Sequence, residues 1–243
     1  EPSSAIEALE EVIAAAAITG APLHIVHINS TGLKAVTKLL EMIEGARSRG
    51  LDVSTECYPY SAGMTKIESS VFDEGWEDHY GISVNDLMWP ETGEYLTAKT
   101  FAEYRETGGW VIAFSIPEDA LTSAVISPLT MIATDSIIEA GKGHPRTAGS
   151  YSRVLGRYVR ERGDLNLIEA LSKMTIMPAQ RLEHRAPEFK KKGRLQAGSD
   201  ADITVFDPNT ILDMSTYTEP VKAPAGVEYV LVGGIPVVHD SKF

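Results

Sequence analysis

The sequence predicts an α/β fold organised on a parallel sheet and followed by a small β domain. Three observations carry this. Helical stretches of about 15 residues alternate with short apolar runs, and only a few residues connect them. At Gly193 the texture changes to short β segments divided by Gly and Asp.

The elements follow in order. Ser4 and Glu7 have capping-box spacing, and Ile6, Leu9, Val12, Ile13 and Ala16 recur at helical intervals before Gly20. Residues 22–28 (PLHIVHI) form a mostly apolar run suited to a strand buried on both faces. Leu33, Val36, Leu39, Leu40 and Ile43 mark a second helix that Gly50 ends, and residues 51–55 read as a strand entering Cys57-Tyr58-Pro59-Tyr60. Residues 61–108 show no sustained period and read as a long insertion, a lid or pocket wall or plain surface decoration. The regular pattern resumes with a strand at 110–115, a helix from Pro117 and a strand at 129–135 that ends in a carboxylate. Helices are expected near 150–162, 166–175 and 178–182, and 227–232 with 235–238 form a hairpin across Gly233-Gly234.

Composition narrows the function. With 243 residues, 43% of them hydrophobic and 23% charged, the chain is long enough for a sizeable core. No apolar run reaches the roughly 18 residues a membrane span needs, and the N-terminus lacks a signal-peptide layout. A net charge of −12, with Lys190-Lys191-Lys192 as the one dense basic run, argues against nucleic-acid binding. The single cysteine, Cys57, excludes an intrachain disulfide framework and fits a reducing compartment, so a cytoplasmic location is expected.

Among six histidines, His27 stands out because it lies at the carboxyl end of its strand, where parallel α/β architectures gather their sites. Strand alternation puts His24 and His27 on opposite sides, and His27 and Asn29 on the same side. His27 is then either a metal ligand or a satisfied structural imidazole. Asp135, after Met-Ile-Ala-Thr, is costly to bury unless paired or metal-bound; its alternative role is a helix N-cap. An imidazole and a carboxylate from different strand ends suit a zinc site with an open position for water. Arg146, in Gly143-His144-Pro145-Arg146, either clamps a substrate carboxylate or makes a surface salt bridge. Parity places Tyr58 and Tyr60 on one face, as a carbonyl-polarising hydroxyl or as core aromatics, with Cys57 opposite as packing. The sequence has no GxSxG, P-loop or GxGxxG pattern, which leaves hydrolysis by metal-bound water.

The run Gly193-Arg194-Leu195 with 198–207 (GSDADITVFD) resembles the segment that closes amidohydrolase-superfamily enzymes, as do 177–182 (MPAQRL) and 232–238 (VGGIPVV). More narrowly, 24–27 (HIVH), 58–63 (YPYSAG), Thr134-Asp135, 144–146 (HPR) and 153–158 (RVLGRY) are similar to the N-acyl-D-amino-acid deacylase (D-aminoacylase) branch.

The resemblance implies the C-terminal part of a (β/α)8 barrel, about its last three βα units, over 1–192 with an insertion at about 66–108. Strands of a small β-sandwich then occupy 193–243. It implies zinc, one or two ions, with His27 as the strand-six ligand and Asp135 as ligand and general base at strand eight. Tyr60, Arg146, His144 and Asn29 are the expected substrate-binding residues, Asn29 standing where the family usually carries Lys. The strand-one His-x-His pair, the bridging Cys or Glu and the strand-five histidine belong upstream of Glu1, so a C-terminal portion of a longer protein is expected. The expected partners are a small N-acyl amino acid, the N-terminal remainder and, for an oligomer, further copies. Other readings remain: another amidase of the superfamily, acting on a cyclic amide or an N-acetyl substrate, or a non-catalytic fragment lacking the N-terminal metal ligands.

Overall fold

The computed structural model describes residues 2–240 and 242. Helix α1 spans Pro2–Thr19, so Ser4 lies inside its first turn and not at the expected N-cap. Strand β1 (Leu23–Ile25) is shorter than the apolar run predicts. His27 adopts φ 36°, ψ 55°, a left-handed conformation that ends extended pairing, and the chain turns into α2 (Ile28–Gly32). After a 3₁₀ turn, α3 (Val36–Ser48) buries Val36, Leu39, Leu40, Ile43 and Ala46 as one apolar stripe. Strand β2 is Val53–Cys57.

The insertion is a unit with its own sheet and core. It holds β3 (Gly63–Lys66), α4 (Trp76–Tyr80), β4 (Leu87–Trp89), β5 (Glu94–Tyr95), α5 (Ala98–Thr107) and β6 (Trp110–Ala113). Its strands form one antiparallel sheet in the order β3-β6-β4-β5. Ile67, Phe72, Trp76, Leu87, Trp89, Leu96 and Val111 form the core beneath it. The insertion therefore extends past the expected 66–108, and the strand near 110 does not rejoin the parallel sheet. Gly63 pairs with Ala113 and Lys66 with Trp110, so the two ends of the excursion clasp each other. An apolar run shows that a strand exists and does not reveal its partner.

Helix α6 (Glu118–Ile126) leads to β7 (Thr130–Ile132). Strand β7 completes a parallel sheet in the order β1-β2-β7, with Ile25 beside Thr55 and Thr55 beside Thr130. Alternation divides the sheet. Val53, Cys57 and Ile132 join the helix-side core with α3 and α6 residues such as Leu39, Ile43 and Leu121. On the other face His24 Nδ1 meets Ser54 Oγ at 2.7 Å and His24 Nε2 meets Glu56 Oε2 at 3.1 Å. Cys57 is fully buried, and burial pushes its thiol pKa up to about 12, as expected of a packing residue.

The glycine-rich turn after β7 contains a small hairpin that the pattern does not predict, β8 (Ile138–Glu139) and β9 (Lys142–Gly143). Helix α7 (Arg146–Arg153) continues as a π-helix over Val154–Glu161, followed by α8 (Leu167–Met174) and α9 (Ile176–Leu182). The chain ends in an antiparallel sheet of β10 (Ile203–Phe206), β11 (Val227–Val232) and β12 (Ile235–Val238). Its hairpin turns through Gly233 (φ 57°) and Gly234 (φ 83°), the two left-handed positions a tight two-residue turn needs. No helix among the described residues is long and apolar enough to cross a membrane.

Candidate active site

Because β1, β2 and β7 are parallel, the segments leaving their carboxyl ends gather at one end of the sheet. There His27 follows β1, Tyr58 follows β2 and Asp135 follows β7, all lining one cavity of about 500 Å³. Arg146, at the start of α7, lines it too. The insertion supplies much of the remaining wall through Met64, Val71, Phe72, His79, Tyr80 and Ile82.

His27 and Asp135 share a backbone feature. Both are non-glycine residues with left-handed φ, 36° and 45° respectively. Such strain is sustained where the surrounding structure fixes a side chain's direction. His27 Nδ1 lies 3.1 Å from both Ser30 Oγ and Thr31 Oγ1. Ser30 Oγ also donates to the His27 carbonyl, so Nδ1 is the engaged nitrogen of the ring.

Arg146 is 1% exposed and carries the principal charge of the cavity wall. Its Nη2 pairs with Asp135 Oδ2 at 2.9 Å, and its guanidinium lies 4.3 Å over the Tyr58 ring. Nε and Nη1 are buried with no hydrogen-bond partner. Leaving charged donors unsatisfied is costly. Burial raises the Tyr58 pKa, which the nearby Arg146 partly opposes.

Other expected site residues lie behind this surface. Asn29 does not reach the cavity, because β1 ends before it and the strand-parity argument no longer applies. It is fully buried, with Nδ2 donating to Tyr58 O at 3.1 Å and Oδ1 accepting from Tyr58 N at 3.4 Å, so it ties two strand ends together. Tyr60 also departs from the expectation of one shared face, since the strand stops at Cys57. Tyr60 Oη donates to Asp213 Oδ2 at 3.2 Å, and of this pair Tyr58 is the one that lines the cavity.

His144 is a support and not a lining residue. It is fully buried; its Nε2 donates to Ala62 O at 2.9 Å while Nδ1 accepts the Arg146 N–H at 3.0 Å. Burial, then the positive Arg146, holds its pKa well below the ordinary value, so the ring is neutral. A loop of the β domain supports this segment: Ser215 Oγ donates to Pro145 O at 3.0 Å, and the Tyr217 ring sits 5.2 Å from His144. Asp213 joins Tyr60 to Arg153, whose Nη1 is 2.9 Å away. Asp213, Ser215 and Tyr217 carry no sequence signal, because contacts over up to 153 positions arise only on folding.

The donors present fit zinc. An imidazole held through Nδ1 by Ser30 and Thr31 and a carboxylate engaged by Arg146 through Oδ2 are two ligands of the types zinc takes. Among the described residues no group of three or more His, Cys, Asp or Glu is arranged to hold a metal ion.

The comparisons agree with this geometry. Residues 5–238 match the model of the amidohydrolase family. An N-acyl-D-glutamate deacylase of Alcaligenes xylosoxydans xylosoxydans is 32% identical over 96% of this chain and 49% of its own length. A D-aminoacylase of the same organism is 31% identical over 84% of this chain and 42% of its own. The solved N-acyl-D-glutamate deacylase from Bordetella bronchiseptica, complexed with zinc and a phosphonate mimic of the tetrahedral intermediate, superposes with a TM-score of 0.79. It shares 31% identity and matches 95% of this chain and 50% of that one. The chain thus spans about half the length of the relatives it matches. With matching carried through both the parallel-sheet region and the β domain, the chain belongs to the amidohydrolase family.

Proposed function

We propose that the full-length protein is a zinc-dependent deacylase of N-acyl-D-amino acids, to which this chain contributes the substrate-carboxylate site and two metal ligands. The observation that carries the reading is the convergence of His27, Asp135 and a half-satisfied Arg146 on one cavity at the strand ends. The deacylases named among the relatives support the D series and the amide bond. In this reading β1, β2 and β7 are three strands of a closed barrel. Its remaining strands cover the face that carries His24, Ser54 and Glu56, and β10 to β12 belong to a β-sandwich.

His27 Nε2 and the Asp135 carboxylate would hold the zinc. When bound, it supplies Lewis acidity, activating water at neutral pH and polarising the amide carbonyl. Asp135 accepts the proton of the attacking water and delivers it to the departing amine. Arg146, the cation of the cavity wall, would attract the α-carboxylate while its Nη2 stays on Asp135, so one guanidinium orients both substrate and base. Tyr58 lines the cavity with its hydroxyl protonated, because burial raises its pKa. Asn29, His144 and Tyr60 hold these groups in place from behind.

The test is amine release from matched N-acetyl-D- and N-acetyl-L-amino acids by the full-length protein, before and after chelation and zinc restoration. Zinc-dependent turnover confined to the D series is expected. Turnover of neither series by zinc-loaded protein overturns the assignment.

A further inference from the structure

The connection between β10 and β11 meets the residues of the cavity from behind. Over 213–217 its side chains alternate in exposure as they would on a strand: Met214 and Thr216 are exposed, Asp213 and Tyr217 are half-buried and Ser215 is buried. Resting on the deacylase reading above, we infer that Asp213, Ser215 and Tyr217 are positioning residues for Arg146. They set where its charge stands, although none of the three is among the residues lining the cavity.

The three act on both ends of Arg146. At its backbone end, the peptide joining Pro145 to Arg146 is held at both polar atoms. Ser215 Oγ donates to the Pro145 carbonyl at 3.0 Å, which the Gly149 N–H also uses, and the Arg146 N–H donates to His144 Nδ1 at 3.0 Å. The His144 ring is edge-on to those of Tyr60 and Tyr217, with centroids 5.4 and 5.2 Å away. Tyr217 in turn meets Phe114, the residue after β6, at 4.8 Å. At the other end, the guanidinium lies over the Tyr58 ring. The residue after Tyr58 is fixed by the same connection: Asp213 Oδ2 accepts from Arg153 Nη1 at 2.9 Å, and Arg153 Nε donates to Pro59 O at 2.8 Å. That Asp213 oxygen also accepts from Tyr60 Oη, so one carboxylate orders the chain on the far side of the Tyr58 ring. Contacts that only added stability need not converge on the peptide and the ring that bracket a single buried arginine. Placement is what such a group contributes, since an error of about 1 Å can cost about 100-fold in rate.

The experiment uses the full-length protein with Ser215→Ala, Asp213→Asn and Tyr217→Leu, and with Tyr217→Phe as the variant that keeps the ring. Ser215→Ala deletes one hydroxyl and carries the test should Tyr217→Leu not fold. The first readout is the NMR resonance of the Arg146 Nε–H, assigned by its loss in Arg146→Lys. Ser215→Ala, Asp213→Asn and Tyr217→Leu should shift or broaden it, and Tyr217→Phe should leave it in place. The second is steady-state kinetics on an N-acetyl-D-amino acid, where KM should rise by about tenfold or more with kcat held within about threefold. In an Arg146→Lys background the same substitutions should add nothing further to KM. An unmoved resonance overturns the inference. So does an unchanged KM in an active enzyme, whatever the unfolding midpoint does, or a KM rise of equal size in both backgrounds; each leaves the deacylase reading standing. A wild type that turns over neither the D nor the L series, with the resonance moving as described, overturns the deacylase reading and leaves the positioning of Arg146 standing.

Discussion

His144 Nδ1 accepts the backbone N–H of Arg146 at 3.0 Å, which fixes the tautomer of the ring and places the proton on Nε2, facing the carbonyl of Ala62. A neutral, buried imidazole thus joins the β2–β3 connection to the first residue of α7, and the one buried arginine of the cavity starts from that anchor.

Replacing His144 with Phe in the full-length protein leaves a buried donor and a buried acceptor unpaired, at about 1–3 kcal/mol each. The expected kinetic signature is a raised KM for carboxylate substrates with kcat less affected, and His144→Gln should restore part of it. His144 also gives a pH signature. Its folded pKa lies below the unfolded value, so its contribution is complete above about pH 6.5 and is lost as pH falls further. Chemical denaturation between pH 7.5 and 5 should show stability declining with acidity by up to about 1.4 kcal/mol per pH unit from this group. The difference between wild type and His144→Phe should shrink over the same range; a constant difference refutes the neutral-ring assignment.

Arg146→Lys keeps the charge and loses the planar guanidinium. A compact ammonium on a flexible stem cannot reproduce the fixed geometry that holds Asp135 while leaving positive charge for a second carboxylate. The loss of a charge-assisted hydrogen bond, about 1.5–3 kcal/mol, corresponds to a rise in KM of roughly ten- to a hundredfold. Steady-state kinetics on an N-acyl-D-amino acid and its α-carboxamide provide the check: the substitution should erase the preference for the acid.

Gly149→Ala should destabilise, although Ala is ordinarily the better helix former. Helix α7 packs so closely that a Cβ at Gly149 would lie 2.1 Å from Tyr60 Oη and 2.5 Å from Ser215 Oγ. Displacing those side chains costs about 1–3 kcal/mol, read as a lowered midpoint in thermal or denaturant unfolding. An unchanged or raised midpoint contradicts the packing described here.

Asp135→Asn removes both the proposed proton acceptor and the ion pair to Arg146. In the full-length protein the proposed deacylation should lose about 100- to 10,000-fold in kcat. Metal content measured on the same preparation separates the two roles. Full turnover with zinc retained refutes proton transfer through Asp135.

The sequence alone determined the α/β class, the β segments after Gly193, the placing of His27 and Asp135 near strand ends and of Arg146 after a glycine-rich turn, because apolar periodicity and turn residues are local properties. It also carried the family resemblance, since motif order survives along the chain. What the tertiary structure decided is which of these residues share a surface. Tyr58 reaches the cavity and Tyr60 does not, because β2 ends at Cys57 and the two tyrosines then meet Arg146 and Asp213 respectively. Asn29 and His144 become supports because their polar atoms are consumed by backbone groups from other segments. The strand at 110–113 pairs within the insertion because its partner, 63–66, sits at the insertion's other end. Each of these outcomes depends on hydrogen-bond partners and packing neighbours distant in the chain, which periodicity and spacing do not encode.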